Sequence, residues 1–213
     1  MSLPGWPDYW YGFPPMHYGT HAVGPLFCIS DTEAESVVCF GSGTIREEYA
    51  RKYKSPFAVE TALFRLRDSN IACEATRSLF DTIRQYRESF DVYGTKLTLE
   101  WEQIAGEGMV VFSGFEDAKR IKVPDFAKLL PKEIAPFTTG GVYDGDHEHT
   151  SFIQGGGHGG SHPHLVHEFV RAIVEGRESA IDAGRSANWT MAGICAHESA
   201  MKGGKRVEIP QAG

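Results

Sequence analysis

Between residues 34 and 112 the chain alternates short apolar runs with turn formers. Residues 34–40 (AESVVCF) read as a strand ending at Gly41, Ser42 and Gly43. Residues 57–67 and 71–79 read as a strand pair turning at Asp68, Ser69 and Asn70, because turn residues separate two runs of strand formers. Residues 90–93 and 97–101 flank Gly94, Thr95 and Lys96 as a further pair, with Leu97, Leu99 and Trp101 on one face at period two. Residues 109–112 form another short strand. The period changes toward both ends of the chain. A helical segment spans roughly 16–29, and a second helix starts at Ser161, His162 and Pro163, with proline in its first turn. Leu165, Phe169 and Ile173 make an apolar stripe along it, and Gly176 stops it. A third helix runs from a cap at Asp182 to Gly203 and Gly204. Its small residues Gly184, Ala187, Ala192, Gly193, Ala196 and Ala200 allow a neighbour to approach closely. Residues 207–210 read as a last strand, and 113–160 as long loops of mixed charge with a glycine-rich end. Strands in the middle and helices at both ends define an α+β fold in one domain, 1–213, with helices covering one face of the sheet. The other face needs water or a partner.

Composition narrows the function. In 213 residues, 41% are hydrophobic and 12% aromatic, enough for a substantial core. A net charge of -7 argues against nucleic acid and anionic membrane as partners, since both demand a basic face. No run of about 18 apolar residues reads as a membrane span, and no charged-then-apolar start reads as a signal peptide. Cys28, Cys39, Cys73 and Cys195 lie far apart in apolar surroundings, which points to buried, reduced thiols and a cytoplasmic protein. Met1, Ser2 and Leu3 look like an added leader, and the aromatic stretch behind them points to missing upstream chain.

Candidate chemistry concentrates in residues 16–25 (MHYGTHAVGP). His17 and His21 are four apart, so on one helix they would share a face. Pro25 cannot donate to the His21 carbonyl, which predicts a kink beside His21. The alternative is a pair of satisfied helix histidines. As a functional pair they suit general acid/base work, an imidazole taking a proton from a substrate hydroxyl near neutral pH as hydride leaves the same carbon. Arg84 and Tyr86, near Arg77, Asp81 and Arg87, read either as a solvated loop or as donors that orient a polyhydroxylated substrate. Two glycine clusters imitate a dinucleotide fingerprint. Gly41 and Gly43 have Arg46 where the third glycine belongs, and the 155–160 cluster (GGGHGG) has no strand leading into it, so neither reads as a cofactor site. His147, His149, His158, His162, His164 and His167 raise metal binding, but their spacing matches no familiar zinc pattern, and none is assigned as a metal ligand.

In order along the chain, His17-Tyr18-Gly19-Thr20-His21, residues 90–96 (FDVYGTK) and residues 159–163 (GGSHP) with two closing helices resemble the C-terminal domain of Gfo/Idh/MocA oxidoreductases. The resemblance covers nearly the whole chain. It implies a large open mixed, mostly antiparallel β-sheet with helices packed on one face, and a homodimer or homotetramer formed through the sheet. It implies His21 as the acid/base residue, and His17 in place of the family's aspartate. His17, Tyr18, Arg84, Tyr86, His158 and His162 are the implied substrate-binding residues for a sugar, cyclitol or related polyol. NAD or NADP would sit on an N-terminal Rossmann domain that precedes this segment in the parent enzyme, so this chain alone should bind no dinucleotide and be inactive. Residues 18–25 (YGTHAVGP), Arg84 to Tyr86 and residues 157–160 also resemble the NAD-dependent N-acetylgalactosaminidases of the same superfamily, which makes glycoside cleavage the alternative chemistry. A non-catalytic binding or assembly module is the alternative from outside enzymology.

Overall fold

The computed structural model describes residues 11–79, 81–84, 87–139 and 160–212. A 3-10 turn at Pro15–Tyr18 leads into α1 (Thr20–Ser30), followed by β1 (Ala34–Ser42) and α2 (Glu47–Tyr53). Next come β2 (Val59–Leu66), β3 (Ala72–Ser78), β4 (Val92–Tyr93), β5 (Thr98–Glu100), β6 (Met109–Phe112) and β7 (Ala118–Ile121). The last elements are α3 (Ser161–Glu175), α4 (Ala183–Met201) and β8 (Val207–Glu208). The fold is α+β. Its strands sort into two four-stranded sheets, β3-β2-β1-β8 and β4-β5-β6-β7, where the sequence reading has one large sheet. The chain divides into two compact units, 1–92 with 183–213, and 93–182.

In the first unit, β2 carries the alternation most clearly. Glu60, Ala62, Phe64 and Leu66 are buried on one face, while Thr61, Leu63 and Arg65 are exposed on the other. Antiparallel pairing with β3 sets Phe64 opposite Cys73 and Glu60 opposite Arg77, and the hairpin turns at Asp68, whose φ of 48° is left-handed. The buried faces of β1, β2 and β3 pack on Val23 and Phe27 of α1 and on Trp189, Ala192, Cys195, Ala196 and Ala200 of α4. β8 pairs with β1 only at Ser36 and Val37. Beyond it, the Ser199 hydroxyl accepts the Cys39 N–H at 2.9 Å and donates to the Lys205 carbonyl at 2.6 Å, so α4 satisfies a strand-edge donor that the short β8 does not reach.

The second unit is an antiparallel meander followed by α3. β7 lies within the stretch read as loop from sequence. The Glu102 carboxylate accepts N–H groups of Gly106 and Gly108, which hold it below the usual carboxylate range. α3 ends at Gly176 with φ 63°, where the Arg177 N–H reaches the Ala172 carbonyl at 3.0 Å. The residues of its apolar stripe, Leu165, Phe169 and Ile173, are exposed. No helix among the described residues is long and apolar enough to cross a membrane.

Candidate functional site

The site begins at a contact between two glycines. A Cβ on Gly193 of α4 would lie 2.2 Å from the Met16 carbonyl oxygen, and one on Gly19 would lie 3.3 Å from the Gly193 Cα. Only glycine admits the 3-10 turn this close to α4. His197 follows Gly193 by one helical turn on the same face, and this brings its ring to His17. The two imidazoles meet edge to face, with centroids 4.8 Å apart and planes at 79°. Phe13 also packs edge to face with His17, centroids 5.5 Å apart.

Below them, β2 supplies Glu60, which is completely buried. Its Oε2 accepts the Met16 N–H at 2.7 Å and its Oε1 lies 2.6 Å from His197 Nδ1. The amide can only donate, so Oε2 accepts there; as a carboxylate Glu60 has no proton to give at Oε1 either, and His197 Nδ1 is the donor to it. A buried carboxylate is tolerated because both oxygens are engaged. Burial is the main cause that holds His17 below the ordinary imidazole value; His197 adds to it and Glu60 opposes it.

His21 occupies the first turn of α1 and has different neighbours. Its ring stacks on Tyr18 at 4.2 Å and 16°, and its Nε2 lies 3.6 Å from Glu88 Oε1. The Arg77 guanidinium, 5% exposed at the end of β3, sits 5.2 Å from the Tyr18 ring centroid. The expectation that His17 and His21 share one helix face is corrected: His17 belongs to the 3-10 turn before α1, and each imidazole has its own partners. Helix α1 continues through Pro25 to Ser30.

Of the other sequence candidates, Arg84 is exposed in the bend at 81–84, and the guanidinium beside Tyr18 is that of Arg77. His162 is half-buried in the first turn of α3, in the second unit. Tyr86 and His158 lie outside the described residues. Two residues escaped the sequence reading, Glu60 and His197. A carboxylate at an inward position of a period-two strand was the available signal for the first.

The glycine cluster at 41–43 does not fit a dinucleotide, and residues 155–159 of the other cluster lie outside the described residues. Gly41 packs its Cα against the Phe57 ring, so that a Cβ there would lie 2.2 Å from it, and the next strand, β2, returns antiparallel to β1. A phosphate cradle needs a parallel β-α-β unit with an open helix N-terminus. Cys28, read as buried, is exposed, whereas Cys39, Cys73 and Cys195 are buried. Among the described residues no group of three or more His, Cys, Asp or Glu side chains is placed to hold a metal ion.

Neither a family model nor a curated protein sequence matches the chain. Solved structures do share its fold. An inositol dehydrogenase homolog from Azotobacter vinelandii, complexed with NADH and myo-inositol, aligns with a TM-score of 0.56 at 13% identity over 93% of this chain and 51% of its own. Scyllo-inositol dehydrogenase from Lactobacillus casei, with NAD(H) and scyllo-inositol, aligns with a TM-score of 0.53 at 16% identity over 90% of this chain and 46% of its own. An oxidoreductase from Agrobacterium radiobacter, with NAD+, L-tartaric acid and magnesium, gives 0.52 at 15% identity, over 83% and 44%. The chain thus spans about half the length of these oxidoreductases and carries the fold of that half.

Proposed function

We propose that the chain is the substrate-binding and self-associating portion of an NAD(P)-dependent oxidoreductase acting on a sugar, cyclitol or related polyol. The observation that carries this reading is the placement of His21, an imidazole in the first turn of a helix, stacked on Tyr18 and 3.6 Å from the Glu88 carboxylate. A carboxylate beside Nε2 favours the protonated ring, and the stacked phenol fixes its plane, so His21 takes and returns the proton of a substrate hydroxyl. Tyr18, stacked on it, and His17, in the turn that precedes its helix, add groups that accept from or donate to hydroxyls, as a polyol requires. The fold shared with polyol-bound dehydrogenases supports the same assignment. The nicotinamide cofactor supplies the redox chemistry in such enzymes and, in this reading, is held by a separate Rossmann domain in the parent protein. His158, His162, Arg84 and Tyr86 remain proposed substrate contacts.

In the parent enzyme, His21→Ala should lower turnover by about two to four decades with little change in cofactor affinity, because the loss is confined to proton transfer. Normal turnover in that variant would overturn the assignment. Calorimetric titration of the isolated chain with NAD and NADP should show no binding. A Kd tighter than ~10 μM, about 7 kcal/mol, would relocate the cofactor to this chain.

A further inference from the structure

We propose that Glu60 and His197 form a buried carboxylate–imidazole pair that positions His17 as a hydrogen-bond acceptor for a substrate hydroxyl, distinct from the proton-transferring His21. The inference rests on the polyol reading of the site and deepens it. Three elements converge on His17 without any of them being close in sequence: the 3-10 turn that carries it, β2 through Glu60, and α4 through His197.

The positioning part is geometric. One Glu60 oxygen takes the backbone N–H of Met16, the residue before His17, and fixes the turn. The other takes His197 Nδ1 and fixes the ring against which His17 packs edge to face. Phe13 packs on the His17 ring as well. The Gly193 contact with the Met16 carbonyl leaves the turn no room to slide along α4. A hydroxyl-binding imidazole needs this kind of support, because an unsupported ring loses rotamer freedom when it binds.

The acceptor part follows from what surrounds the ring. From α4 it meets His197, and the Glu60 carboxylate of β2 acts on it from behind that ring; the Arg77 guanidinium of β3, register partner of Glu60, lies over the adjacent Tyr18. The residues that follow it in the chain have their own pairing, Tyr18 stacked on His21 and His21 beside Glu88. Glu60 is the carboxylate that could recruit a proton to His17, and both of its oxygens are already engaged by donors. Burial, together with His197, opposes the charged ring and outweighs Glu60. A neutral imidazole offers one lone pair, which can accept from a hydroxyl, whereas an imidazolium can only donate. The two histidines thereby divide the labour: His21 has a carboxylate beside its Nε2, whereas burial and His197, acting against Glu60, keep His17 an acceptor.

The test is nitrogen-detected NMR of the histidine rings in the full chain, titrated from pH 8 to pH 5, with and without myo-inositol. The His17 ring should titrate below the ordinary midpoint of about 6.5. His197→Gln keeps a donor for Glu60 but removes the second imidazole, and should raise the His17 midpoint by about half a unit or more toward that value. Myo-inositol should shift both the His17 and His21 resonances. A wild-type His17 midpoint at or above the ordinary value overturns the inference even if the variant does not fold, as does an unchanged midpoint in folded His197→Gln. Myo-inositol that moves His21 and leaves His17 unmoved overturns the inference while keeping the proposed function. If it moves neither ring, the polyol reading falls and takes the acceptor role with it.

Discussion

Burial separates the four cysteines. Cys39 and Cys73 are enclosed by the sheet and helices of the first unit, and burial pushes their thiols up to about 12 and about 11, with the Glu60 carboxylate adding to the effect at Cys39. Burial also raises Cys195. Since the thiolate is the reacting species, a thiol reagent at mildly alkaline pH should modify Cys28 quickly and the other three only at the rate of unfolding. Intact mass after brief labelling should show one adduct; rapid addition at all four would contradict the packing described. Cys28 lies one position past the buried Phe27, a rotation of about 100° around the helix, so apolar sequence neighbours were a poor guide to its exposure. Glu60 offers the converse case. The period that turns Ala62, Phe64 and Leu66 inward turns Glu60 inward too, and a carboxylate there must find a donor. Which donor was not legible, because His197 stands 137 positions away.

At the level of elements, the close approach of α4 to the turn before α1 is the arrangement on which the site depends. Gly193→Ala would set a Cβ 2.2 Å from a backbone oxygen that has no rotamer to yield with. We expect a cost of about 1–3 kcal/mol and a Tm lower by roughly 4 °C or more, together with displaced His17 ring signals. Ala187→Leu, at an exposed position of the same helix, should leave Tm nearly unchanged; equal effects of the two would remove the special status of the contact. Helix boundaries were legible where a local signal marks them, as with Pro163 in the first turn of α3 and Gly176 at its end. The β2–β3 hairpin was legible from Asp68, Ser69 and Asn70. The stripe of Leu165, Phe169 and Ile173 was legible as a helix face, while its exposure was not, since periodicity reports that one face is apolar and not what covers it.

For the whole molecule, the question is what meets the outer face of the first unit's sheet. Phe40 and Leu63 stand there 61% and 59% exposed, beside Thr61 and Thr76, whose hydroxyls are 3.1 Å apart. Apolar side chains on an open sheet face favour self-association, and a two-fold pairing would bury the same residues from both copies. Light scattering at micromolar concentration should report a dimer or tetramer, and Leu63→Lys should shift it toward monomer without unfolding the chain. A wild-type monomer under those conditions would remove self-association from the proposed function. That the strands divide between two sheets was not legible, because strand runs on either side of residue 92 look alike in sequence.

The first unit is assembled from residues 1–92 and 183–213, with the second unit inserted between them. During synthesis, the three-stranded β1–β3 portion leaves the ribosome long before α4 and β8 exist. At about 5–20 residues per second, the delay between Glu60 and His197 is on the order of ten seconds. Residues 93–182 are complete within that interval and free to fold first, while the apolar inner face of β1, β2 and β3 waits for its cover. The carboxyl group of Glu60 then has a second consequence, since a polar group on that waiting face keeps it hydrated and discourages premature collapse until the last helix arrives with the imidazole that pairs with it.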